Sequence, residues 1–188
     1  MSVNSTIEEI GQAVTLVRDT NVSTYAYINP KLKAATYEYV AWFKTDSGVV
    51  AGDLVLASIA TQATNFLVAG LSPDERVDEF LKINARLLRC NHTISLKSLD
   101  NTSKKFVAGT TDIPCLIIDG SLTQMSDRGV VTPGFGGKDQ TYYLYCQPSG
   151  ITSKTVIVDD GNRNLKIAGS INPFYAEGLI ELQVKLEG

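Results

Sequence analysis

The sequence predicts a β-rich fold of the α+β class, an antiparallel sandwich or barrel of about eight to ten short strands with one or two helices packed on it. Three observations lead there. Turn signals recur at intervals of roughly eight to twelve residues. Several runs alternate apolar and polar side chains, the period of a strand with one dry face. Only one long stretch carries a clear helical period.

From the N-terminus, Ile7, Ile10, Val14 and Val17 fall at helical spacing behind a Ser5-x-x-Glu8 capping box, which predicts a helix over 6–17. Gly11, Thr15 and Val17 oppose it, and residues 12–18 read equally as a strand. Tyr37, Tyr39, Ala41 and Phe43 alternate with Glu38, Val40 and Trp42, and the run stops at the turn Thr45-Asp46-Ser47-Gly48. Leu54 to Ala69 satisfies neither period cleanly. Residues 73–90 read as the clear helix. Ser72 caps it, Pro73 fits its first position, and Asp74 and Glu75 meet the positive end of its dipole. Val77, Phe80, Leu81, Leu87 and Leu88 form its stripe, and Lys82, Arg86 and Arg89 crowd its negative end.

Strands follow at Thr93 to Leu99 and at Cys115 to Ile118, the latter turning at Asp119-Gly120 into Ser121 to Gln124. Gln140 to Cys146 is another, and Thr155 to Val158 turns at Asp160-Gly161 into Leu165 to Ala168. Leu179 to Leu186 alternates cleanly and closes the set. Asp-Gly supplies the positive φ that tight hairpins need.

The chain has 188 residues, 44% hydrophobic and 20% charged, a composition that supports a buried core and excludes a disordered tail. No repeat, low-complexity stretch or linker divides it, so residues 1–188 read as one domain. The N-terminus, with Glu8 and Glu9, lacks the charge order of a signal peptide, and Thr61, Gln62, Thr64 and Asn65 interrupt the one long weakly charged stretch. These features predict a soluble protein of the cytoplasm or a virion, not secreted through a signal peptide and not in a membrane. Cys90, Cys115 and Cys146 are odd in number and form no C-x-x-C pair, which fits neither a disulfide framework nor a zinc site.

Catalytic patterns are weak. Cys90 and His92 lie too close in sequence to converge on one substrate. Pro133-Gly134-Phe135-Gly136-Gly137-Lys138 fails the phosphate-loop spacing, since Asp139 stands where Ser or Thr must follow the lysine. It reads as a surface loop, with Phe135 suited to contact a neighbouring subunit. Asp159-Asp160 suits a turn. The pairs Asp74 with Asp78 and Glu75 with Glu79 suit the first turns of a solvated helix. No residue is assigned to catalysis, a cofactor or a metal, and the chain is read as not an enzyme.

Two surface features remain. Lys82, Arg86, Arg89, Lys97, Lys104 and Lys105 stand against Asp100 alone, six basic groups to one acid, so residues 82–105 carry +5 within a chain of net charge −3. A face meeting the backbone of nucleic acid is one reading, and a solvated helix end is the other. Tyr37, Tyr39 and Trp42 belong to a dense aromatic group that suits a subunit contact. Few charges, many Ser, Thr and Asn residues and many short strands point to a self-assembling structural protein, a small viral or phage coat or tail subunit partnered by copies of itself. The alternatives are a barrel or sandwich that binds a small apolar or carbohydrate ligand, and an enzyme built on unmarked carboxylates or tyrosines.

Overall fold

The structure, a computed structural model, describes residues 3–30, 37–76, 79–100, 102–103, 105–119, 140–148, 150–173 and 178–187. It is strand-rich, with one helix and two closed antiparallel sheets among the described residues. The chain divides into two compact units.

The first unit holds α1 (Val3–Ile10), β1 (Gln12–Val17), β2 (Val22–Pro30), β3 (Glu38–Phe43), β4 (Leu54–Ile59), β5 (Gln62–Arg76) and β6 (Glu79–Arg89). Its strands close in the order β1-β2-β3-β6-β5-β4. Val14, Leu16, Ala26, Phe43, Phe66 and Leu87 fill the interior, alternate residues of each strand pointing inward. Tyr39 meets Phe66 edge to face inside, with ring centroids 5.1 Å apart.

The helix expected over 6–17 is shorter, and the strand reading of residues 12–18 describes its second half. Gly11 marks the break, donating its N–H to the Ile7 carbonyl at 2.9 Å. A Cβ there would stand 2.4 Å from that carbonyl oxygen and 2.9 Å from that of Ala26, so only glycine lets the chain turn from helix into barrel wall.

The helix expected over 73–90 is corrected to a β-hairpin. β5 and β6 pair from Phe66↔Arg89 to Arg76↔Glu79, with Pro73 opposite Ile83. β6 also pairs with β3, from Glu38↔Leu88 to Phe43↔Ile83. The segment contains two competing patterns. Its Leu, Lys and Arg residues favour a helix locally, but Ile83, Ala85 and Leu87 also lie two apart, and that set packs into the barrel core. Pairing on both edges outweighs a propensity difference of a few tenths of a kcal/mol per residue. Register shifts at Val68/Gly70 and Asp74/Glu75 accommodate the irregular residues of β5.

The second unit holds β7 (His92–Leu99), β8 (Phe106–Ala108), β9 (Ile113–Asp119), β10 (Tyr142–Cys146), β11 (Val156–Asp159), β12 (Asn164–Pro173) and β13 (Ile180–Leu186). The order β11-β12-β13-β10-β9-β7-β8 closes through β11–β7 pairing, from Val156↔Lys97 to Asp159↔Ile94. Its own core includes Leu96, Ile117, Tyr142, Leu144, Ile157 and Leu182. With β8 set aside, both sheets are wound alike: first, second, third, sixth, fifth and fourth strand around the ring. The repetition is topological, with no matching sequence repeat. No linker separates the units, since β6 ends at Arg89 and β7 begins at His92.

Most expected strands are present, including β3, β7, β9, β10, β11, β12 and β13. Asp159 fills the expected turn role: its carboxylate accepts from the Gly161 and Arg163 N–H groups at 3.0 and 2.8 Å and from Arg163 Nε at 2.8 Å. The strand expected at Ser121 to Gln124 and the loop at 133–138 lie outside the described residues. No helix among the described residues is long and apolar enough to cross a membrane.

Candidate functional site

Two surfaces carry chemistry, one on each unit. On the first barrel, β2, β3 and β6 lie side by side, in the register Tyr27↔Trp42↔Asn84 and Asn29↔Val40↔Arg86. Because Ala26, Ala41 and Ala85 face the core, these residues face outward. Tyr27 and Trp42 pack with centroids 5.1 Å apart, and the Lys82 ammonium rests 3.8 Å from the Trp42 ring centroid. The Arg86 guanidinium donates to Glu38, whose side chain is only 8% exposed. Beside this row, the register shift in β5 opens a cavity of about 320 Å³ lined by Val40, Gly70, Ser72, Asn84 and Arg86. The space beyond Gly70 is open, with nothing within 4 Å of where a Cβ would stand.

The electrostatics of this face are compensated. Glu38 neutralises Arg86, and Lys82 is held against the negative face of the indole. What remains is a shallow apolar hollow rimmed by a hydroxyl, an amide and an ion pair. Such a rim offers directional hydrogen bonds without net charge, which suits a neutral ligand better than a phosphate.

On the second unit, β7 and β8 form a hairpin that outruns the closed ring. β11 reaches only to Lys97 of β7, and among the described residues no strand pairs with the outer edge of β8. The partners Leu99↔Phe106 share one face of this ribbon, and Ser98↔Val107 share the other. Leu99, Phe106 and Val107 are 40, 55 and 45% exposed. At the tip, Asp100 accepts from the Thr102 and Ser103 N–H groups, each at 3.0 Å. The Ser103 hydroxyl and these amides hold its carboxyl below the usual range. The acid therefore serves its own turn, and the basic charge of Lys97 and Lys105 is left to the surface.

The expected basic face is divided. As a strand, β6 places Lys82 and Arg86 on the outer wall, while Arg89 falls on the other side of the pleat. Lys97 and Lys105 belong to the hairpin of the second unit, and Lys104 lies outside the described residues. Of the expected contact residues, Trp42 is on the outer wall and Tyr37 precedes β3, its carbonyl accepting from the Arg89 N–H at 2.6 Å. Tyr39 is corrected: it is a core residue, because its position in β3 has the inward parity of Ala41 and Phe43. Phe135 lies outside the described residues. The cavity escaped the sequence reading because it depends on the strand assignment of residues 62–89 and on the irregularity at Gly70.

His92 does not turn to a thiol. Its Nδ1 lies 3.0 Å from Asp160, and Cys115 Sγ donates to its backbone carbonyl at 3.5 Å. Burial raises the Asp160 carboxyl, but the His92 hydrogen bond and charge outweigh that and hold it below the usual range. Burial, reinforced by the charge of Cys146, pushes the Cys90 thiol far up. Burial likewise pushes Cys146 up to about 12. Thiols so held stay protonated at neutral pH and are poor nucleophiles. Among the described residues, no three His, Cys, Asp or Glu side chains are grouped to hold a metal ion.

No family model matches the chain, and no curated protein matches it. Among solved structures, 98% of the chain aligns with 80% of a chain described as "MrkH, A novel c-di-GMP dependence transcription regulatory factor", at 9% identity and a TM-score of 0.16. A likeness at that score carries no argument.

Proposed function

We propose that this chain is a structural subunit that assembles with copies of itself, of the kind that builds small viral or phage coats and tails, and that it acts without catalysis. The observation that carries this reading is the β7–β8 hairpin. It combines an open backbone edge with apolar side chains on both faces, and a two-stranded ribbon is marginal in water until something packs on it. Among the described residues the outer edge of β8 pairs with no strand, so β-pairing with another chain there costs no internal hydrogen bond. Low overall charge favours association in the same direction.

Mass in solution and electron microscopy test the proposal. The chain should form closed or tubular assemblies many times its 20.4 kDa mass. Phe106→Ser with Val107→Lys should release smaller species that keep the parent's melting midpoint, because both residues are exposed. A monodisperse monomer at high concentration rules the reading out. Nucleic acid as cargo would meet Lys97 and Lys105, and charge reversal there should lower the nucleic-acid absorbance of the purified assembly.

The cavity of the first barrel favours a second reading, a module that binds a small apolar or carbohydrate ligand. A sugar panel in a thermal-shift assay distinguishes it, since a ligand of the folded state raises the midpoint.

A further inference from the structure

Two of the three cysteines, unrelated by any sequence spacing, meet inside the second barrel. β9 and β10 pair from Tyr142↔Asp119 to Tyr145↔Leu116. One step further along this register sets Cys146 opposite Cys115. Both are fully buried and belong to the same interior cluster, so their side chains point to the same side of the sheet.

The type of pair follows from the backbone. The Cys115 carbonyl accepts the Asn91 N–H at 3.1 Å. Ile117 donates its N–H to Asn91 Oδ1 and accepts from Asn91 Nδ2, each at 2.9 Å. Residues 115 and 117 thus direct their backbone groups towards β7. By alternation, 116 and 118 direct theirs towards β10, and Cys115 with Cys146 is a pair without mutual hydrogen bonds. Such pairs bring Cα atoms to about 4.5 Å and side chains closest together, at the near limit of the roughly 4.4–6.8 Å that a disulfide spans. Burial raises the Cys115 thiol, followed by the charge of Cys90 and then that of Cys146, so all three thiols lie near one another and it is the strand register that pairs Cys115 with Cys146.

We propose that Cys115 and Cys146 are an oxidation site, a thiol pair preset to close as a cross-strand disulfide when the chain meets a small peroxide. The peroxide is chosen by size, since hydrogen peroxide is little larger than water and neutral, whereas a peptide disulfide cannot enter a closed barrel. The first step is slow, because burial keeps both thiols mostly protonated: the small fraction of one sulfur that has lost its proton attacks a peroxide oxygen. The O–O bond breaks, water leaves, and a sulfenic acid remains. In the second step the other sulfur attacks that sulfenic sulfur, the S–O bond breaks, and a second water leaves with the remaining protons. Two thiols are oxidised by two electrons, and one peroxide is reduced to two waters. The bond joins β9 to β10 and closes residues 115–146 into a covalent loop, a staple set in an oxidising environment and absent in a reducing one.

The test uses the full chain and its Cys90→Ser variant, in which the proposed pair is intact. Each is exposed to hydrogen peroxide under native conditions, then analysed by intact mass and non-reducing peptide mapping. Both should lose two hydrogens, yield a peptide linking residues 115 and 146, revert with dithiothreitol, and melt on the order of 5 °C or more higher when oxidised. Mass gain by added oxygen without loss of hydrogens in Cys90→Ser overturns the proposal, as does a map linking Cys90 to either partner in the parent chain. Cys115→Ser supplies a further arm: if it folds, the two-hydrogen loss must vanish. If it does not fold, the map of Cys90→Ser decides.

Discussion

The turn between β4 and β5 is built against its own residues, and relieving that conflict should stabilise the protein. Ala60 and Thr61 occupy φ of 48° and 70°, both in the left-handed region, in a two-residue hairpin where Ile59 pairs with Gln62. Each L-residue held there costs about 1–2 kcal/mol, more for a β-branched side chain such as Thr. Ala60→Asn with Thr61→Gly installs the pair this turn geometry prefers. Relief at two sites is offset by roughly 0.4–1 kcal/mol of extra unfolded-state freedom for the new glycine. Thr61 also loses its hydrogen bond to the Ala60 carbonyl, an exposed contact of small worth. The net gain is about 1–2 kcal/mol. At roughly 2–4 °C per kcal/mol for a chain of this size, the melting midpoint should rise by about 3–6 °C. Differential scanning calorimetry measures this directly. Gly48→Ala is the matched control: Gly48 sits at φ 66° in open space, so the added methyl meets strain and no clash, and the midpoint should fall. A double variant no more stable than the parent, beside a Gly48→Ala protein no less stable, would refute the reasoning.

Further outcomes follow from other groups. Asp53, with its side chain 6% exposed, accepts from Arg18 Nε and the Val50 N–H, each at 2.8 Å. Asp53→Ala should cost about 2–3 kcal/mol in urea unfolding, less than a fully buried pair, because Arg18 is one-third exposed and rehydrates. The Asp160 carboxyl should titrate in NMR below the ordinary aspartate range, and His92→Gln should move it up. Its folded value is lowered, so its stabilisation is complete above the unfolded value near 4 and is lost as pH falls through the folded one. Cys146 has the opposite sign. With its thiol raised to about 12, its contribution is complete below the unfolded value near 8.5 and is lost as pH rises from there through the folded value. Native protein at pH 8 should react slowly with a thiol reagent, and reaction should accelerate on unfolding.

Legibility followed how local each signal was. The Asp159 turn was readable because the carboxylate bonds to amides within four residues. Gly48 was readable as a positive-φ position for the same reason. The turn at Ala60 and Thr61 left no trace, because nothing in either residue favours the conformation they adopt. That hid the boundary between β4 and β5 and left Leu54 to Ala69 without a clean period. In 73–90, helical and strand patterns coexist, and a neighbour absent from any local window chose between them. The same choice reassigned the basic residues: spacings of four and three share a helical face, whereas in β6 they separate Arg89 from Lys82 and Arg86.

Composition, alternation and turn chemistry were enough to determine an antiparallel, strand-dominated protein and most of its strand positions, since these depend on contacts a few residues apart. Strand partners, ring closure, the cavity beside Gly70 and the meeting of Cys115 with Cys146 were decided only in the tertiary structure. Each depends on register between strands far apart in sequence, and register is set by which side chains fill a common core.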